Sequence, residues 1–294
     1  MSADVLTRPE ARTRSESPKR RRGRRNVNVP GGVAAVIWLL IVVVPIYFIV
    51  VTSVRSQEAY VADGPLDLPT SPTLTNYQHV IDLGFGTFLV NSLIVAAGTV
   101  VLVLVLALPT AYAIVRGQSR WVRMAFTLFL TGLAIPAQAV IIPIFLLITR
   151  LHLYDSLTAI ILPTAAFSLP MAVLVLTSAL RDVPGELYEA MTVDGAGQAL
   201  IFRRLVLPLS RPALASIGIF SGLNAWNGIL FPLVLTQSSE QRVLPLGLWN
   251  FQSQYGTDVP GLLAAVVLSA LPVLALYLFG RRQLLSGLSA GFGK

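Results

Sequence analysis

The chain has 294 residues, of which 54% are hydrophobic and 12% charged, with a formal net charge of +8 and a mean hydropathy of +0.72. Soluble domains carry about a quarter charged residues, and half that density leaves too little polar surface to face water, which excludes a large soluble catalytic core. With no cysteine there is no disulfide, thiolate nucleophile or Cys-ligated metal, and two histidines are too few for a His-rich metal site.

In chain order, residues 1–29 come first. They are low in apolar content and hold Lys19, Arg20, Arg21, Arg22, Arg24 and Arg25 just before the first apolar run, which predicts a disordered basic tail acting as a topology anchor. A charge at the bilayer centre costs about 2.5–3.5 kcal/mol on insertion scales, so charge-free stretches mark where hydrocarbon can be crossed. The stretches 26–54, 83–115, 124–149, 156–180, 212–239 and 259–280 qualify, each with room for the roughly 20 apolar residues a span needs. Spans are expected near 33–54, 88–115, 124–148, 158–180, 213–236 and 261–280, forming a six-helix transmembrane domain over 30–280 and a tail over 281–294. The fold class is all-α integral membrane. The first apolar run is longer than a signal-peptide core and no small-x-small site precedes Arg55, so it is read as a span.

Lys and Arg concentrate on the cytoplasmic side of short loops. Segments 1–29, 116–123, 181–211 and 281–294 hold 19 of the 22, leaving Arg55, Arg150 and Arg242 on the other side. Both termini are therefore expected in the cytoplasm, with the chain a multi-pass membrane protein, and this distribution accounts for the high pI without nucleic acid. Pro45, Pro109, Pro136, Pro143, Pro163, Pro170, Pro232 and Pro272 interrupt the spans. Broken helices are tolerated in lipid only where other protein or a wet cavity satisfies the freed backbone groups, which favours a packed, mobile bundle. The spans contain no Asp, Glu, Lys or Arg, which argues against a proton relay or voltage sensor.

The cytoplasmic loop between spans four and five carries the most information. Pro184 can sit in a first helical turn, with Glu186 and Glu189 placed to complement a helix N-terminus. Gly195, Ala196 and Gly197 permit a tight turn, and 198–206 can form a second short helix before Pro208 and Pro212. Leu187, Ala190, Met191 and Val193 give the first helix an apolar face that no bilayer covers, so it needs a partner or the membrane surface.

The spacing Glu189-Ala190-Met191, three residues, Gly195, nine residues, Leu205-Val206-Leu207-Pro208 resembles the EAA motif of bacterial ABC importer permeases, and Asp194-Gly195-Ala196 fits its Asp-Gly-Ala core. Met191 stands at the motif's second Ala and Leu205 at its Ile. FLVNSLIVA at 88–96, WNGILFPLVL at 226–235 and RRQLLSGLSAGFGK at 281–294 are similar to the maltose-type sugar-importer permeases, MalG-like partner, from residue 33 onward. The resemblance implies the type I importer permease fold, and a coupling loop over 184–208 that seats in an ATPase subunit. It assigns that contact to Glu186, Glu189, Ala190, Met191, Asp194, Gly195, Ala196, Leu207 and Pro208, with Glu189 docking and Gly195 turning. It also implies a second homologous permease in a heterodimer, an ATPase dimer carrying the ATP and Mg, an extracytoplasmic solute-binding protein, and a Gly-rich end, Gly287 to Lys294, inserted toward the ATPase interface. Gly228 departs from the acidic residue those relatives often carry after Trp-Asn.

The chain itself binds no cofactor on this reading: the terminal Gly293-Lys294 lacks the hydroxyl and the helix of a phosphate-binding loop. Without intramembrane charge, Asn91, Gln138, Asn224, Trp226 and Asn227 are the side chains suited to touch a polar solute, although Asn and Gln in spans also bond across helices. His79 and His152 fall in outer loops as surface residues. The outer segment from Gln57 to Leu83 is open to two readings, a landing surface for a solute-binding protein or a linker. The competing function is a stand-alone secondary transporter or channel, which would need its own ion site; a membrane enzyme lacks catalytic groups.

Overall fold

The computed structural model describes residues 29–64, 66–117, 119–253 and 256–292. The basic tail up to residue 28 and the terminal Gly293-Lys294 lie outside them, and side chains are described only as far as residue 278. The chain divides into a unit ending at Pro45 and a second from Ile46 onward. In the first, helix α1 (Val29–Ser53) begins, with Val33, Ile37, Trp38 and Ile41 all exposed. A contiguous apolar surface of this kind marks contact with a membrane or another protein.

In the second unit α1 ends and is followed by α2 (Gln57–Ala62), α3 (Thr75–Asp82) and the long α4 (Phe85–Arg116). Helix α5 (Arg120–Gly132), a 3-10 turn (Ala137–Val140) and α6 (Ile141–Arg150) precede α7 (Leu157–Arg181). Helix α7 lies along α4, and α11 (Arg211–Asn227) packs against both. Inward-facing Val103, Ala107, Ala111, Val173, Leu176 and Ile217 form their shared core. Since lipid is as apolar as leucine, association here depends on close packing. Small residues supply it: a Cβ on Gly98 would lie 2.8 Å from Ile161 Cδ1, and one on Gly222 would lie 3.3 Å from Val100.

Among the described residues four helices are long and apolar enough to cross a membrane, or up to six if each of two bent pairs counts as one crossing. Two expected spans are not single helices, and proline explains both breaks. The span expected over 124–148 bends by 98° between α5 and the helical stretch from Ala137. Helix α5 ends at Gly132, four residues before Pro136, whose ring cannot donate to that carbonyl and would clash with it. The span expected over 213–236 divides into α11 and α12 (Leu230–Leu235) around Gly228, four residues before Pro232. Prolines 109, 163, 170 and 272 stay inside α4, α7 and α14 (Val259–Phe292). That last helix continues through Phe292, so the tail expected over 281–294 is helical as far as that residue.

At the end of the unit opposite Arg116, the loops are tied down by polar side chains. Between α12 and α14 lie α13 (Leu244–Gly247), a 3-10 turn (Leu248–Phe251) and a two-stranded hairpin in which Gln252 pairs with Thr257. Residues 57–83 contain α2 and α3, the latter packed on α14 through Val80. Asp155 sits in the left-handed region (φ 59°) and its Oδ1 accepts from Gln237 N (2.8 Å), Ser238 N (3.0 Å) and Ser238 Oγ (3.1 Å). The bond from Gln237, with those from Ser238, holds the carboxyl below the usual aspartate value against the opposing effect of burial. A depressed folded pKa stabilises above the unfolded value near 3.9 and the benefit is lost as pH falls through the folded value. Exchange of the Gln237 and Ser238 amides is therefore expected to be slow at pH 6 and to accelerate below about pH 4 relative to intrinsic rates. Asp155→Asn, with only neutral bonds, should be fast at both; equal protection in the variant at pH 6 would contradict the assignment.

Candidate functional site

The loop singled out by sequence forms an elbow of two short helices. Pro184 is the residue before α8 (Gly185–Val193) rather than within its first turn, and Glu186 lies in that turn. Glu186, Glu189, Ala190 and Asp194 are exposed; Met191 and Ala196 are half-buried against the core. The face expected from Leu187, Ala190, Met191 and Val193 is not the buried one. Leu187 and Val193 are exposed, Val193 by 87%, and the inward anchor is Tyr188 at 2%. An apolar-only count passed over tyrosine, although Tyr188 and Met191 are three apart and share a helical face.

The turn closes on named bonds. Ala196 N donates to Met191 O (2.9 Å) and Gly195 N to Thr192 O (3.0 Å), the pairing that ends a helix with a left-handed residue, and Gly195 has φ +81°. Among the described residues, chain neighbours aside, no atom lies within 4 Å of a Cβ built on Gly195 or Gly197. Gly195→Ala should therefore cost only the left-handed penalty of about 1–2 kcal/mol, whereas Gly197→Ala, at φ −72°, should cost little. Thermal unfolding of the two purified variants checks this; equal midpoints would refute it.

Helix α9 (Gln198–Ile201) runs through a π-helical turn (Phe202–Val206) into α10 (Leu207–Leu209). Leu207 N donates to Phe202 O, five residues back. The wider turn accommodates Pro208, which cannot donate to Arg204 O. Ile201 and Val206 are buried, Arg203 and Arg204 exposed, Leu207 exposed and Pro208 half-buried. From α9–α10 into α11 the chain bends by 70°.

Under the elbow, Tyr188 and Tyr112 stack at 6.4 Å between centroids and 22° between planes, and Arg116 Cζ lies 4.7 Å from the Tyr188 centroid. Phe202 lies 5.8 Å from Tyr112, whose hydroxyl donates to Gln198 Oε1 at 2.6 Å. Among the described residues the buried Tyr188 hydroxyl has no hydrogen-bond partner. Burial pushes its phenol above the usual tyrosine value, Tyr112 adds to the rise and Arg116 opposes it, so the ring stays neutral at physiological pH.

The five residues proposed for a solute path are not brought together. Asn91 is buried and its Nδ2 donates to Glu240 O (2.7 Å) and Arg242 O (2.8 Å), so its amide is spent on a loop. Asn224 Nδ2 reaches across to Ser168 Oγ at 3.4 Å. Gln138 is exposed in the 3-10 turn before α6. Trp226 and Asn227 do meet, in an open cavity of about 410 Å³ bounded also by Leu244, Pro245, Ser269 and Val273. Its lining is mostly apolar, with Asn227 Nδ2 donating to Leu223 O at 2.9 Å.

Residues 103–284 match the family described as binding-protein-dependent transport system inner membrane component. The diacetylchitobiose uptake system permease protein NgcG of Streptomyces coelicolor is 31% identical over 259 residues, covering 87% of this chain and 85% of that protein. The arabinooligosaccharides transport system permease protein AraQ of Halalkalibacterium halodurans is 32% identical over 255 residues, covering 85% of this chain and 91% of that protein. A solved bacterial ABC transporter involved in the import of the acidic polysaccharide alginate superposes with a TM-score of 0.76 at 24% identity, over 90% of this chain and 99% of that one. At that identity the likeness is one of fold.

Proposed function

The chain belongs to the binding-protein-dependent transport system inner membrane components, the membrane-embedded permeases of ABC transporters, and from that premise we propose that it serves a carbohydrate importer. An extracytoplasmic binding protein delivers the solute, a second homologous permease completes the pathway, and ATP is hydrolysed on a separate ATPase dimer. The observation that carries the reading is the elbow. Its outer surface, Glu186, Glu189, Ala190 and Asp194, is free of the chain's own core while Tyr188 fixes its inner surface to α4. A polar, rigidly held face of this kind suits docking to a protein. The Lys and Arg distribution supports a cytoplasmic elbow and cytoplasmic termini.

Carbohydrate as the solute class is supported by the sugar-named relatives. The cavity beside Trp226 and Asn227 has the volume of a small-ligand site and offers an indole and an amide. Asn91, Gln138 and Asn224 fit that role less well, the first and third because they bond within the protein. Purification of the tagged chain from native membranes tests the assembly. An ATPase and a second, non-identical permease should copurify, and reconstituted uptake should need ATP and the binding protein. Solute uptake by the chain alone, without ATP, would overturn the reading in favour of a secondary transporter or channel.

A further inference from the structure

The elbow must move something, and its covalent connections are poorly built for that. It joins α7 through the short non-helical link at Asp182–Pro184 and joins α11 across the 70° bend at Ser210. Bends at element ends absorb displacement rather than pass it on. Its side-chain connection is different. Both arms meet one residue of a third helix: Tyr188 of α8 stacks on Tyr112, while from the second arm Phe202 packs against the same ring and Gln198 accepts its hydroxyl proton.

That third helix, α4, runs unbroken for 32 residues. Pro109 lies within it, close to Tyr112, and Thr110 Oγ1 donates to Leu106 O at 2.7 Å, adding a side-chain bond to the backbone ladder there. From Tyr112 to Asn91 a helix spans about 32 Å at 1.5 Å per residue. At the far end α4 is fastened to the loop that bounds the cavity. Asn91 donates to Glu240 O and Arg242 O, and Ser92 Oγ accepts from Leu244 N at 2.9 Å. Phe88 lies so close to Gly247 that a Cβ there would overlap its ring. Leu244, Pro245 and Leu248 then form one wall of the cavity that Trp226 and Asn227 also line.

We propose that Tyr112 is the positioning residue through which both arms of the elbow grip α4, and that α4 carries their displacement to the 240–248 loop, changing the cavity wall beside Trp226. The ring faces and the Gln198 bond make the grip; the Tyr188 hydroxyl, which bonds none of the described residues, takes no part. The inference rests on the importer reading above, and its test separates the two.

The complete importer is purified through its permease and reconstituted in liposomes with its binding protein, and solute taken up per ATP hydrolysed is measured. In Tyr112→Ala the ATPase should still copurify and hydrolyse ATP, while solute per ATP falls about tenfold, within the range of ordinary site-to-site coupling. Tyr112→Phe, which loses only the Gln198 bond, should fall less, and Tyr188→Phe should match wild type. Asn91→Ala unfastens the far end without touching the elbow and should reproduce the Tyr112→Ala defect with ATPase binding intact. A wild-type ratio in either alanine variant overturns the inference. If Tyr112→Ala does not assemble, Asn91→Ala alone decides it. An absent ATPase in the wild-type preparation would instead refute the importer reading, and this inference with it.

Discussion

Replacing Glu189 by arginine is expected to abolish ATP-driven uptake while the protein still inserts and folds. Glu189 is exposed on α8, and the helix is held from its other side by the buried Tyr188 ring, so reversing the charge removes no core contact. Exposed substitutions of this kind usually change stability by no more than about 0.5 kcal/mol. Docking is where the loss should fall. When a charged contact is buried at an interface, removing one partner costs about 2–5 kcal/mol, and reversal adds repulsion. The ATPase should fail to copurify with Glu189→Arg at unchanged membrane levels of the permease. Glu186→Arg, in the first turn of α8, should cost the fold slightly more than Glu189→Arg, because it also forfeits the helix-end interaction of about 0.3–1 kcal/mol. Uptake at the wild-type rate in Glu189→Arg, at equal expression, would contradict the docking role.

Arg55→Ala should produce the largest loss of stability. Arg55 follows α1 and is fully buried. Its Nη1 donates to Gly64 O at 2.9 Å and its Nη2 to Asp67 O, while its own carbonyl accepts from Asn76 Nδ2 at 2.7 Å. The guanidinium is thus the internal support around which the chain beyond α1 is folded, with Nε buried and without a partner among the described residues. Hydrogen bonds from charged groups contribute about 1.5–3 kcal/mol each, and the truncation also leaves two carbonyls short of a donor. A loss of about 3 kcal/mol or more is expected. Protease cleavage within 57–74 should become rapid in the variant and thermal unfolding should shift downward. Arg55→Lys should not rescue it, because one ammonium cannot reproduce a planar fork reaching two carbonyls. Cleavage as slow as in the wild type would show that other contacts hold the loop.

The membrane crossings were legible because burying charge in hydrocarbon is so costly that absence of charge outlines the apolar helices. The elbow was legible through Gly195, where a left-handed backbone demands a particular residue, and Pro136 and Pro232 were visible as interruptions. Which prolines break a helix was not. Helices stop short of Pro136 and at Gly228, four residues before Pro232, whereas Pro109, Pro163 and Pro170 remain inside α4 and α7. Likewise nothing local distinguishes Asn91, committed to Glu240 and Arg242, from Asn227, which borders an open cavity.

Sequence alone therefore determined the apolar helices, the charge asymmetry between loops and the Gly195 turn. Each follows from a cost that acts on a residue and its immediate solvent or backbone: desolvation of charge, attraction to a membrane face, or a forbidden φ. Tertiary structure alone decided that Tyr188, not Leu187 or Val193, faces inward, that Tyr112 joins both arms of the elbow, and that Arg55 is buried. Those outcomes depend on which ring or carbonyl arrives from residues tens of positions away, and short-range side-chain interactions cannot specify that arrival until the chain has folded.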